Sequence, residues 1–216
     1  FIVLDKERKV VRIIFDHISI DIANQIAPSI GEDLKSRDFS INSIAFLFDK
    51  RCLIDPLNGI KDIKISLLRS FSKINLLDDP LRILRCIRFV SELNFNIDTH
   101  LMIFLKKYKS KLNLVANERI NYEIQRIVNG VNALESVLLM KRLNIFELEN
   151  FYKDYCFIDL KKINYEELNP IEKEKFLPLF LIGQILDDIS LEKFRFSKAE
   201  ILNIKLLRKW HLFLRK

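Results

Sequence analysis

Hydrophobic and polar residues alternate at the front of the chain, and the period then lengthens. FIVL (1–4), the charged DKERK (5–9) and VVRIIF (10–15) read as a β-hairpin. ISIDIA (18–23) continues the alternation, with Ile18, Ile20 and Ile22 on one face and Ser19 and Asp21 on the other. SIGEDLKSRDFSINSIAFLF (29–48) reads as mostly helical, opened by Ser29 as N-cap with Glu32 three residues on. RCLIDPLNGIKD (51–62) gives a short strand, then an Asp-Pro turn and an Asn-Gly step that needs a positive φ. Strand signals fade after residue 75. DDPLRILRCIRFVSEL, DTHLMIFLKKYKSKL and NERINYEIQRIVNG follow as successive helices, the second capped by Asp98 or Thr99. From 131 to 216 the chain is rich in Leu and Lys and keeps a helical period. The pattern predicts an α+β protein: a strand-bearing part over 1–72, a helical segment over 73–130 and a helical remainder over 131–216.

Composition supports a packed, helix-rich chain. Of 216 residues 49% are apolar, enough for a core, while only four glycines and five prolines are available for tight turns. The net charge of +7 points to a polyanionic partner, although many lysine-rich chains are basic without one. Cys52, Cys86 and Cys156 are scattered, as are the three histidines, so neither a disulfide framework nor a zinc site is expected. The thiols read as buried and free in a reducing compartment. The stretch LPLFLIGQIL (177–186) is too short to span a bilayer. A cytoplasmic protein with no signal peptide and no membrane partner is the expectation.

The chemistry concentrates in four short segments. In LLDDPLRILRCIRF (76–89), Ile83, Cys86, Ile87 and Val90 share one side of a helical wheel, and Arg82, Arg85 and Arg88 the other. Asp79 and Asp78 stand three and four residues before Arg82, the spacing at which a carboxylate orients a guanidinium fork. A carboxylate beside an oriented fork offers acceptors and donors to a nucleobase edge. On spacing alone, the commoner reading is a surface helix with ordinary ion pairs. SRDFSIN (36–42) sets Asp38 and Asn42 four apart with Arg37 beside them, a group suited to a ribose hydroxyl and a phosphate or simply a polar helix face. IDPLNGIKD (54–62) says turn. In NERINYEI (117–124), Glu118, Arg119 and Glu123 suggest an ion-pair network at a helix start.

Taken in order, these segments resemble the class II tRNA nucleotidyltransferase/poly(A) polymerase family, within the polymerase-β-like superfamily. SRDFSINSIAF looks like the family's RRDFTINAxAY motif, and LIDPLNGIKDIKISLLRSF like its IDPxGGxxDLxxGxLR segment. LLDDPLRILRCIRF looks like EDPxRxLRxxRF, and ANERINYEI like ERIxxEL. The resemblance implies the later part of a nucleotidyltransferase head over 1–72, a neck that selects the nucleotide over 73–130, and a helical body from 131. It implies an enzyme adding C and/or A from CTP or ATP to RNA 3′ ends, tRNA foremost, by attack of the 3′-OH on the α-phosphate, with Mg²⁺ as cofactor. A poly(A) polymerase and a non-catalytic RNA-binding helical protein are the alternatives. By the same resemblance, Asp79 and Arg82 read the base, with Arg85 as an added contact and Asp78 in the place of the usual Glu. Arg37, Asp38 and Asn42 contact ribose and triphosphate, and Arg119 and Glu123 brace the helices. Asp21 matches an acid on a strand near the metals and is a candidate third carboxylate. The glycine-rich segment and the Asp-x-Asp metal ligands have no counterpart between residues 1 and 216, so an inactive piece lacking the main metal ligands is expected. Ser36, Asn58 and Ser66 stand where the family has Arg, Gly and Gly, which predicts a weaker phosphate contact and a stiffer loop.

Overall fold

The computed structural model describes residues 1–5, 9–16, 18–25, 27–147 and 167–214. The front is a three-stranded antiparallel sheet of β1 (Ile2–Asp5), β2 (Val10–Phe15) and β3 (Ile18–Ala23), in the order β1-β2-β3. The register pairs Val11 with Ile22, Ile13 with Ile20 and Phe15 with Ile18, so one face is wholly apolar. That face is open: Ile18 keeps 66% of its surface and Ile22 53%. The opposite face pairs Arg12 with Asp21.

The segment expected to be mostly helical over 29–48 breaks into three pieces. Helix α1 (Ile30–Lys35) forms behind the Ser29 cap, whose Oγ accepts from the Glu32 N–H at 3.3 Å. A 3₁₀ turn (Ser40–Asn42) follows, and then β4 (Ala45–Leu47), which pairs with β5 (Cys52–Ile54). The helix stops at Ser36 because the Ser36 N–H and hydroxyl both turn back onto the Asp33 carbonyl, at 3.1 and 2.7 Å, closing the last turn. Asp55 then accepts from the N–H groups of Gly59 and Ile60 at 2.7 and 2.9 Å, which starts the short helix α2 (Gly59–Lys64). Asn58 supplies the expected positive φ, at 56°, and Ser66 has the same sign at 52°. Beyond the sequence reading lies a two-residue parallel pair, β6 (Leu67–Leu68) with β7 (Asn96–Ile97).

The helical part runs through α3 (Lys73–Asp78), α4 (Arg82–Leu93), α5 (Thr99–Tyr108), α6 (Asn117–Val128) and α7 (Ala133–Leu143). After residue 166 come α8 (Leu177–Gly183), α9 (Asp188–Lys193) and α10 (Lys198–Leu214). Asp98, not Thr99, caps α5, accepting from the His100 N–H at 3.0 Å. Helices α4, α6 and α7 pack on one another, and α6 also packs on α8. Leu84, Ile87, Ile124, Ile127, Val137 and Leu181 fill this core with essentially no exposure. A Cβ on Gly130 would run into the Ser91 carbonyl, so glycine lets the α6–α7 turn press against α4. No described helix is long and apolar enough to cross a membrane. Cys86 is buried as expected, Cys52 is exposed on β5, and Cys156 lies outside the described residues.

Candidate functional site

Asp38 stands three residues beyond the end of α1 and is only 6% exposed. Its Oδ1 accepts from the Phe39 N–H and from Asn42 Nδ2, both at 2.9 Å. The expected i,i+4 contact with Asn42 therefore exists, formed by the 3₁₀ turn. Its Oδ2 accepts from Arg85 Nε and Nη2 at 2.7 and 2.6 Å, which ties the turn to α4. Burial pushes the Asp38 carboxyl up, but Arg85, Asn42 and the Phe39 N–H outweigh it and hold it below the usual carboxylate range. The Cys86 thiol beneath is pushed up, by burial and then by the Asp38 charge, and stays protonated.

The expected pairing of Arg82 with Asp79 or Asp78 does not form. Asp78 is the last residue of α3 and is exposed. Asp79 is extended, with φ −133° and ψ 96°, so it is not on the helix that carries Arg82 and the helical i,i+3 neighbourhood does not apply. Asp79 Oδ1 instead accepts from the Leu81 N–H at 3.2 Å, and Oδ2 from Arg119 Nη2 at 2.7 Å, across to α6. Arg82 donates through Nη1 to the Asn75 carbonyl, leaving most of its five donors uncommitted. Asn75 Nδ2 reaches the carbonyls of Lys35 and Arg37 at 2.8 and 3.2 Å. Arg82, Asn75 and the Arg37 backbone are thus laced together. The Arg37 side chain is half exposed, 3.5 Å from Asp33.

Arg88 and Glu123 lie deeper. Arg88 Nη1 donates to Glu123 Oε1 at 3.2 Å, and both residues are buried. Desolvation opposes both charges: it lowers the arginine and raises the glutamate, and their mutual attraction offsets it only in part. The network expected among Glu118, Arg119 and Glu123 is replaced by bonds to other elements, since Glu118 meets Arg195 at 2.5 Å, Arg119 meets Asp79 and Glu123 meets Arg88. Asp21 accepts from both Arg12 Nε and Nη2, at 2.7 and 2.8 Å, on the polar face of the front sheet. The hydrogen bonding from Arg12, with its charge adding to it, holds the Asp21 carboxyl below its usual range. Among the described residues no three acids, histidines or cysteines converge in a way that fits a metal ion.

The polar cluster thus draws on SRDFSIN, LLDDPLRILRCIRF and ANERINYEI together. Residues 6–69 match the poly A polymerase head domain. The CC-adding tRNA nucleotidyltransferase of a Synechocystis strain is 38% identical over 130 residues, 60% of this chain and 31% of that protein. The A-adding tRNA nucleotidyltransferase of Deinococcus radiodurans is 32% identical over 150 residues, 67% of this chain and 34% of that protein. The chain belongs to the class II tRNA nucleotidyltransferase/poly(A) polymerase family. It spans about a third of the length of these curated relatives. In fold, this chain is similar to the Thermotoga maritima CCA-adding enzyme complexed with tRNA, with a TM-score of 0.73 over 95% of this chain and 54% of that one, at 24% identity.

Three residues that the sequence reading passed over, two of them within a family motif, hold structure beside the cluster. Asp62, fully buried, accepts from Ser40 Oγ at 2.5 Å and from Arg69 Nη1 at 3.0 Å. Their signal was in plain view: Asp62 and Arg69 are the Asp and final Arg of the IDPxGGxxDLxxGxLR pattern. Asn75 had no signal, because its role is made by side-chain and carbonyl bonds to residues 35, 37 and 82.

Proposed function

We propose that this chain supplies the nucleotide-selecting part of a template-independent RNA 3′-terminal nucleotidyltransferase that adds C and/or A, from CTP or ATP, to tRNA. The observation that carries the reading is the convergence of Asp79, Arg82, Asp38 and Arg85 through bonds that join three motifs. Arg82, with donors to spare, and Asp79, held by Arg119, present the donors and acceptors that recognise a base edge. Arg85 is fixed by Asp38 and adds positive charge beside them. Arg37 is available to a phosphate, Asn42 and Asp38 shape the ribose side, and Arg119 and Glu123 brace the helices that carry the readers. The names of relatives, CC-adding and A-adding, support pyrimidine and purine versions of one selection site.

Mg²⁺ belongs to the chemistry the family implies, where two ions stabilise attacking and leaving oxygens in an in-line displacement. The described residues do not fit such a site: Asp21 is a single acid with both oxygens engaged by Arg12. A role for Asp21 as a third carboxylate requires Arg12 to release it. What these residues do is bind and select. The test uses the protein with tRNA ending at successive 3′ positions and one nucleotide at a time. Arg82→Ala and Asp79→Ala are expected to blur C-versus-A choice and weaken CTP or ATP binding about tenfold, the loss of one good recognition pair, with circular dichroism unchanged. Unaltered selectivity overturns the reading.

A further inference from the structure

A groove with a basic rim lies between α3 and α5. Its cavity is about 530 Å³, within the range that holds a small ligand, and none of the base-reading residues lines it. The floor is apolar, from Leu76 on α3 and from Leu101, Ile103 and Phe104 on α5, and the rim is cationic. Lys73 at the start of α3 and Lys107 near the end of α5 bring their ammonium groups to 5.6 and 5.5 Å from the centre of the Tyr108 ring. Tyr108 itself stacks on Phe104, with ring centres 4.6 Å apart. At the other end Arg69 lies over Phe71, which is half exposed. The only acid of the lining, Asp98, is already engaged by Arg69 at 3.7 Å and by the His100 N–H at 3.0 Å. Ser70 Oγ, also in the wall, is buried with no hydrogen-bond partner among the described residues.

Two exposed ammonium groups drawn to one aromatic ring, with no carboxylate paired to either among the described residues, leave positive charge over an aromatic surface. That combination suits a ligand with a planar ring and a negative group one bond-length chain away. We propose that the groove between α3 and α5 binds a nucleoside-phosphate unit, the phosphate between Lys73 and Lys107 and the base against the Tyr108 and Phe71 rings. The unit comes either from a single-stranded stretch of RNA or from a free mononucleotide. The inference stands apart from the base-reading cluster and holds or fails independently of it.

Fluorescence anisotropy at low salt, with a labelled single-stranded oligoribonucleotide and with AMP as competitor, tests it. Lys73→Glu combined with Lys107→Glu is expected to weaken oligonucleotide binding at least tenfold and to flatten its salt dependence by about one unit of slope, the loss of one to two phosphate contacts. Tyr108→Leu is expected to weaken it about tenfold by removing the stacking surface. Arg82→Ala should leave this binding in place. Displacement of the oligonucleotide by AMP at comparable concentrations assigns the site to a free nucleotide; displacement only by unlabelled RNA assigns it to a strand. Both lysines are exposed, so the charge-reversal variant keeps the test valid even where Tyr108→Leu perturbs the packing on Phe104. Binding unchanged in the lysine variant, or lost only in Arg82→Ala, overturns the proposal.

Discussion

Asp38 spends both carboxylate oxygens on three neighbours, and Arg85 is the one that carries charge. Arg85→Met keeps the packing of the stem and leaves the carboxylate buried against two neutral donors. The expected loss is about 2 kcal/mol at neutral pH, below the range for a fully buried pair because Arg85 is a third exposed. The pH dependence has a definite sign. The folded carboxyl lies below its unfolded value of about 3.9, so its contribution is present above that pH and lost as pH falls through the folded value. In Arg85→Met burial dominates and raises the folded value instead. The stability gap between the two proteins should therefore narrow as pH drops to about 4, read from urea midpoints. A gap that stays constant with pH would show that Asp38 is not the group responsible. At this scale the sequence brought Asp38 and Asn42 together, though on a helix face where the structure has a 3₁₀ turn, and it assigned Arg82 the wrong partner. The spacing rule assumed one continuous helix, and Asp79 is extended between two.

Elements here begin and end where side chains compete with the backbone. Ser36 stops α1, Asp55 starts α2, and Asp98 starts α5. The two positions where the family has glycine, 58 and 66, both adopt positive φ with side chains that have a Cβ. Asn tolerates that region through its short polar side chain, and Ser does so less well. Ser66→Gly is expected to stabilise by about 0.5–1 kcal/mol, the strain relieved less the entropy gained by the unfolded chain. Differential scanning calorimetry should then show a rise of about 2–4 °C. Asn58→Gly should change little. A fall in Tm for Ser66→Gly would mean the Ser66 side chain makes a contact that outweighs its strain.

Across the whole molecule, α4, α6 and α7 pack on one another, and a buried ion pair joins α4 to α6. Glu123→Ala removes the hydrogen-bonded partner of buried Arg88, leaving Glu92 at 3.6 Å as its ion pair, and should cost about 3 kcal/mol. Arg88→Leu with Glu123→Leu should recover most of that loss, since desolvation already opposes both charges. Guanidinium unfolding followed by tyrosine fluorescence and circular dichroism checks both. If the double variant is as unstable as Glu123→Ala, packing rather than charge sets the cost. The Arg119–Asp79 bond spans the same helices at the surface, where its worth to stability is small and its worth to the orientation of Asp79 is larger.

The sequence by itself determined the apolar stripe of α4, the Ser29 cap, the three-stranded front and the succession of helices from α4 to α6. All of these follow from local periodicity and turn chemistry. Only the tertiary structure decided which charges meet. Asp38 finds Arg85 47 residues away, Asp79 finds Arg119 40 away, and Asn75 bridges three segments. A guanidinium has several donors and many acids within reach, and the choice among them is made by helix packing, which no spacing along one strand of sequence encodes. The parallel β6–β7 pair and the groove between α3 and α5 arise in the same way, from elements brought together by burial of a shared core.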